Sequence, residues 1–120
     1  MLILHYPQCG SCRKALKWLD EYRPMLTVER RHIVEHSPSV EELTEWIDRS
    51  GLPVSKFFNT SGLVYKERGL KDVVKTASRE TLIALLAEDG KLVKRPLLVT
   101  ADRVLVGFKE SEWEQLPQTD

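Results

Sequence analysis

The chain has 120 residues, 42% of them hydrophobic, which suits one core and is too little for two. Eighteen Lys and Arg are balanced by eighteen Asp and Glu, so no whole-molecule field draws the protein to nucleic acid, and direct DNA binding is not expected. Apolar runs stop at about four or five residues, far short of the ~20 that span a bilayer, and Met1-Leu2-Ile3-Leu4 carries neither a basic n-region nor a cleavage site. These features point to a cytoplasmic protein without a membrane partner.

Leu2-Ile3-Leu4-His5 reads as a short buried strand. Behind it stand the two cysteines of the chain, in Cys9-Gly10-Ser11-Cys12, followed by helix formers with Leu16, Leu19 and Tyr22 three apart. At this strand-to-helix junction Cys9 takes the helix N-terminus, where unpaired N–H groups and the positive end of the macrodipole favour a thiolate. Cys12, one turn on, lies on the same face and is placed to resolve a mixed disulfide formed at Cys9. Arg13 adds positive charge beside the pair. Two other readings stay open. The pair could be half of a zinc site, for which His5, His32 and His36 are the histidines available, or two thiols buried by coincidence.

Pro24 stops the first helix, and Thr27 to Ile33 supplies a β-prone run that completes a right-handed βαβ unit with parallel strands. Arg30, Arg31, His32 and Glu35 read as its solvated side and exit loop. Ser39-Val40-Glu41-Glu42 is a capping box, opening a helix from about residue 40 to 50 with Leu43, Trp46 and Ile47 as its stripe and Gly51 as its stop. Pro53 opens a short turn through Val54 to Phe58. The loop Asn59-Thr60-Ser61-Gly62 is an ordinary polar turn by composition, though its amides offer a candidate anion site. A short helix from Tyr65 ends near Gly69, and another runs from Ser78 to Asp89-Gly90.

Leu97 to Thr100, a tight Ala101-Asp102 turn and Arg103 to Gly107 read as a hairpin, closed by a last helix around residues 111 to 116. The order is βαβ, then helices, then ββα. That is an α/β, thioredoxin-like pattern: one four-stranded mixed sheet, with residues 1–36 and 91–120 as the core and an all-helical insertion over 37–90. Arg95-Pro96 stands just before the third strand, where that fold carries a cis-proline facing the dithiol, and a cis bond would bring Arg95 toward Cys9.

The set His5-Tyr6-Pro7-Gln8-Cys9-Gly10-Ser11-Cys12-Arg13-Lys14, Tyr65 to Leu70 and Lys94-Arg95-Pro96-Leu97-Leu98-Val99 resembles the glutaredoxin-linked arsenate reductases and their Spx-type relatives. The resemblance implies an attacking cysteine at Cys9, an oxyanion-binding arginine at Arg95, an assisting histidine at His5, and glutathione with glutaredoxin, or thioredoxin, as electron donor. The family's other two oxyanion-binding arginines align near Asn59 and Gly107. Arsenate turnover should therefore be poor, since neither an amide nor a glycine replaces a bidentate guanidinium. The single-cysteine reductases carry serine where Cys12 stands; the dithiol resembles the redox switch of Spx-type regulators, which bind the C-terminal domain of the RNA polymerase α subunit.

Overall fold

A computed structural model describes residues 1–120. The elements run β1 (Leu2–His5), α1 (Gly10–Tyr22), β2 (Glu29–His32), α2 (Val40–Ser50), a 3-10 turn (Val54–Phe57), α3 (Leu63–Glu67), α4 (Leu70–Thr76), α5 (Arg79–Glu88), a second 3-10 turn (Gly90–Leu92), β3 (Leu97–Val99), β4 (Val104–Val106) and α6 (Glu110–Trp113). The sheet order is β2-β1-β3-β4, with β1 and β2 parallel and β3 and β4 antiparallel to their neighbours. This is the mixed sheet that the pattern of elements predicts.

Alternation along the strands divides the core between two faces. Leu4, Leu97, Val99 and Val104 pack with Leu43, Trp46, Ile47, Leu82 and Leu86, so the helices between β2 and β3 cover one face. Ile3, Leu98 and Leu105 meet Trp18, Leu19, Trp113 and Leu116 on the other, beneath α1 and α6. Trp113 is fully buried, and its indole N–H donates to Gly107 O at 3.2 Å, so the bulk of the ring costs no unpaired donor.

Local signals account for most boundaries. Ser39 caps α2 through its side chain, Glu42 bonds back to the Ser39 N–H at 3.0 Å, and Gly51 ends the helix in a left-handed conformation. Arg31 departs from its reading as a solvated residue. Its guanidinium donates to both Glu42 carboxylate oxygens, at 2.7 and 2.9 Å, and ties the end of β2 to the start of α2. β2 is shorter than the β-prone run predicts, and α6 ends at Trp113. α3 starts at Leu63 rather than Tyr65. Helix α4 is not anticipated by the sequence reading at all: Gly69, at φ 59°, ends α3 and is also the N-cap of α4.

The helical segment leaves and rejoins the sheet at one place. Gly90 lies so close to the exit of β2 that an added Cβ would stand 2.0 Å from the Ile33 carbonyl oxygen. Only glycine fits that approach.

Candidate redox site

Strand β1 delivers the chain to the end of the sheet where β3 begins, because Leu4 pairs with Leu97. Tyr6 then makes the turn. Its carbonyl accepts the Cys9 N–H at 3.0 Å and its own N–H points at Cys12 Sγ, 3.4 Å away. Cys9 is the N-cap of α1, in an extended conformation, and Cys12 is buried one turn in. The cysteines are free. The motif therefore packs as its spacing predicts, with one thiol at the mouth and one beneath it.

The two thiols are driven apart in acidity. Burial alone would raise Cys9, but the Cys12 N–H and thiol and the Arg95 guanidinium together outweigh it and hold Cys9 below the ordinary thiol range. Cys12 is pushed up to about 12, first by burial and then by its neighbour Cys9, against the lowering pull of the Tyr6 N–H and Arg95. Of the two thiols, Cys9 is the one that ionises first.

Arg95 reaches the pair from the other side of the chain. The Arg95-Pro96 bond is cis. The guanidinium lies over the Tyr6 ring, 5.0 Å from its centroid, and donates to the Lys91 carbonyl at 3.1 Å, so it is braced from two sides. Arg13, by contrast, has an exposed side chain, and its contribution is the backbone N–H that closes the first helical turn on the Cys9 carbonyl.

His5 ends β1. Its Nδ1 is buried without a hydrogen-bond partner, and burial, His32 and Arg30 hold its pKa below the usual imidazole value, so the ring is neutral at pH 7. His32 is no solvated strand residue. Its Nδ1 accepts the Val34 and Glu35 N–H groups, and its ring lies edge-on to Tyr6 at 5.6 Å. His32, Tyr6 and Arg95 thus form a stacked support beside the dithiol. Of these, sequence reasoning singled out only Arg95.

In the Asn59, Thr60 and Ser61 loop several donors are taken up within the chain. The Asn59 N–H donates to Leu92 O at 2.7 Å, Thr60 N–H to Phe58 O, Gly62 N–H to Asn59 O, and Ser61 Oγ to the Asn59 side chain. Gly107 takes φ 77° and donates to Pro96 O, serving the backbone beside the cis bond. No three His, Cys, Asp or Glu side chains gather in a metal-binding cluster.

Comparison with known proteins agrees with this geometry. The ArsC family model matches residues 4–116. The YusI protein of Bacillus subtilis is 47% identical over 92% of both chains. A solved ArsC-family-related protein from Bacteroides fragilis is 57% identical, superposes with a TM-score of 0.90 and covers 95% of this chain and 94% of its own. The global transcriptional regulator Spx of Bacillus subtilis is 26% identical over 88% of this chain and 78% of its own length. With the sheet, the cis-proline and the paired thiols already in place, these matches make the chain a member of the ArsC family, a Spx-like redox protein of thioredoxin fold.

Proposed function

We propose that the protein carries out reversible thiol–disulfide exchange, with Cys9 attacking and Cys12 resolving. The observation that carries this reading is the placement of two free thiols one turn apart at the start of α1, Cys9 half-buried at the mouth and Cys12 buried beneath it. The Cys9 thiolate attacks one sulfur of a substrate disulfide, a Cys9–substrate bond forms, and the other substrate sulfur leaves as a thiolate. That attack removes the negative charge that had helped to raise Cys12. The Tyr6 N–H and Arg95 still act on Cys12, so its thiol now ionises more readily, gives its proton to the substrate thiolate released in the first step and attacks Cys9 Sγ. The second substrate thiolate departs, two electrons have passed to the substrate, and the pair is left as a Cys9–Cys12 disulfide. Glutathione with glutaredoxin, or thioredoxin, returns the electrons. Arg95 is the charge that steadies thiolates at the mouth, and Pro96 holds Arg95 at the start of β3.

Arsenate is a poor fit for this site. Thiolate attack on an oxyanion brings two negative charges together, and loss of one oxyanion donor costs about 10²- to 10³-fold in rate. Arg95 is the one guanidinium that acts on the thiols. In a coupled assay with glutathione and glutaredoxin we expect arsenate turnover well below ~1 per second. Oxidised glutathione, in contrast, should leave the protein two hydrogens lighter and free of adduct, while Cys12→Ser should retain one glutathione. Arsenate turnover at enzymatic rates, or a stable adduct on the unaltered protein, would overturn the reading.

A second reading rests on the likeness to Spx: the same pair would act as a redox sensor on a regulator bound to the RNA polymerase α subunit. Affinity capture with Cys12→Ser separates the two. Mixed disulfides with a redox protein favour the enzyme; recovery of RNA polymerase subunits favours the regulator.

A further inference from the structure

Strand β4 is an outer edge of the sheet, paired only with β3. Leu97 stands opposite Val106, Leu98 opposite Leu105 and Val99 opposite Val104. The bonds that flank the ladder are Gly107 N–H to Pro96 O at 2.8 Å and Thr100 N–H to Arg103 O at 2.9 Å. Bonded and non-bonded pairs alternate in an antiparallel ladder, so Leu105 turns its peptide groups toward Leu98. Val104 and Val106 then direct both N–H and C=O away from the sheet. No loop or side-chain group of the chain bonds to them.

All three β4 residues line a cleft of about 730 Å³, in which Val106 is half-buried and Val104 only 5% exposed. Leu52, Lys56 and Phe58 line it from the helical side, and Lys109, Glu112 and Gln115 from α6 and the residues that flank it. The edge therefore forms one wall of the cleft. Its charge departs from the balance of the whole chain: Lys56, Lys94, Arg103 and Lys109 line it, with Glu112 as the one carboxylate. None of the three lysines has an ion-pair partner, and Arg103 approaches only Asp102, at 3.9 Å.

We propose that this edge docks an extended acidic peptide segment of a partner protein, which adds to the sheet as a fifth strand beside β4. Two N–H and C=O pairs about 7 Å apart match the repeat of an extended polypeptide. A nucleic acid would meet the cations but leave that backbone pattern unused. A second copy of this chain would set four cations against four, so the charges that keep like edges apart select an acidic strand. The thiols take no part, and the site stands whatever becomes of the redox reading.

The test uses reduced, isotope-labelled protein with the peptide acetyl-Glu-Val-Glu-Val-Glu-Val-Glu-amide, the same peptide N-methylated at alternate residues, and oligothymidylate. Saturable shifts and slowed exchange at the Val104 and Val106 amides are expected, with loss of binding on N-methylation. Lys56→Glu with Lys109→Glu should weaken binding at least about tenfold. So should Val106→Pro, which removes an outward N–H that the fold does not use and is tolerated on an edge strand. No shift at these amides at millimolar peptide, equal binding of the N-methylated peptide, tighter binding of oligothymidylate, or a dimer joined through β4 would overturn the proposal.

Discussion

Helices α1 and α2 begin from similar backbone conformations, with Cys9 at φ −92° and ψ 121° and Ser39 at φ −79° and ψ 167°. At α2 the Ser39 hydroxyl accepts the Glu42 N–H at 3.1 Å, the Glu42 carboxylate accepts the Ser39 N–H, and Arg31 clamps that carboxylate. At α1 no side chain caps the helix and the first turn holds no acidic residue. One helix start uses up its donors on structure. The other leaves them aimed at a thiol, whose anion they favour, and the stabilisation that a cap would supply is forgone where the chemistry happens.

The sharpest way to break this contrast is Cys9→Ser. Serine at the N-cap should accept the N–H that cysteine leaves open, raising stability by about 0.5–1 kcal/mol and the midpoint of thermal unfolding by a few degrees. Disulfide exchange should fall to background. Retained exchange, or a protein no more stable than before, would show that the open cap is not what distinguishes α1.

The reverse case is Ser39→Ala, which should cost about 1 kcal/mol, or roughly 4 °C in a domain of this size. The pH profile of Cys9 alkylation should not move. A change in thiol reactivity would mean that the two helix starts are coupled rather than independent.

Smallest in effect, and most specific, is the titration of the thiols. The Cys9 pKa is lowered on folding, so its contribution to stability is present above the unfolded thiol value and is lost as pH falls through the folded one. The Cys12 pKa is raised to about 12, so its contribution is full below the unfolded value and is lost as pH climbs through about 12. Alkylation of Cys9 in the Cys12→Ser protein should have its midpoint below that of the same protein in urea, and Arg95→Ala should move the midpoint upward. Equal midpoints with and without Arg95 would remove the guanidinium from the account.

The contrast between the helix starts also marks how far the sequence could be read. Ser39 and Glu42 announce a capping box by spacing alone, and Cys9 with Cys12 announces a dithiol, because all of these bonds are local. Tyr6 could not be found in the same way. Its place depends on Arg95 arriving from the start of β3 and His32 from β2, and neither approach leaves a periodic trace. Arg31 was misread for a similar reason, since its partner stands in the next element. Helix α4 did leave a signal, in Leu70, Val73, Val74 and Ala77, but Gly69 reads equally well as the end of one helix and the start of the next. The Asn59 loop reads by composition as an ordinary polar turn whose amides offer a candidate anion site, and the bond from Asn59 N–H to Leu92 O is one that no local signal announces.

The close approach of Gly90 to Ile33 bears on how such a protein is assembled from parts. Because the helical stretch departs and returns through one constriction, it is a closed loop pinned at its base, while its helices share one core with the face of the sheet that they cover. Chimaeras between relatives joined at Ile33 and Gly90 would cut the chain only at that base but must still match Leu4, Leu97, Val99 and Val104 to the incoming helices, whereas a crossover between α2 and α5 would divide the helical layer as well. A side chain at position 90 would press on the Ile33 carbonyl and strain that base without touching a thiol.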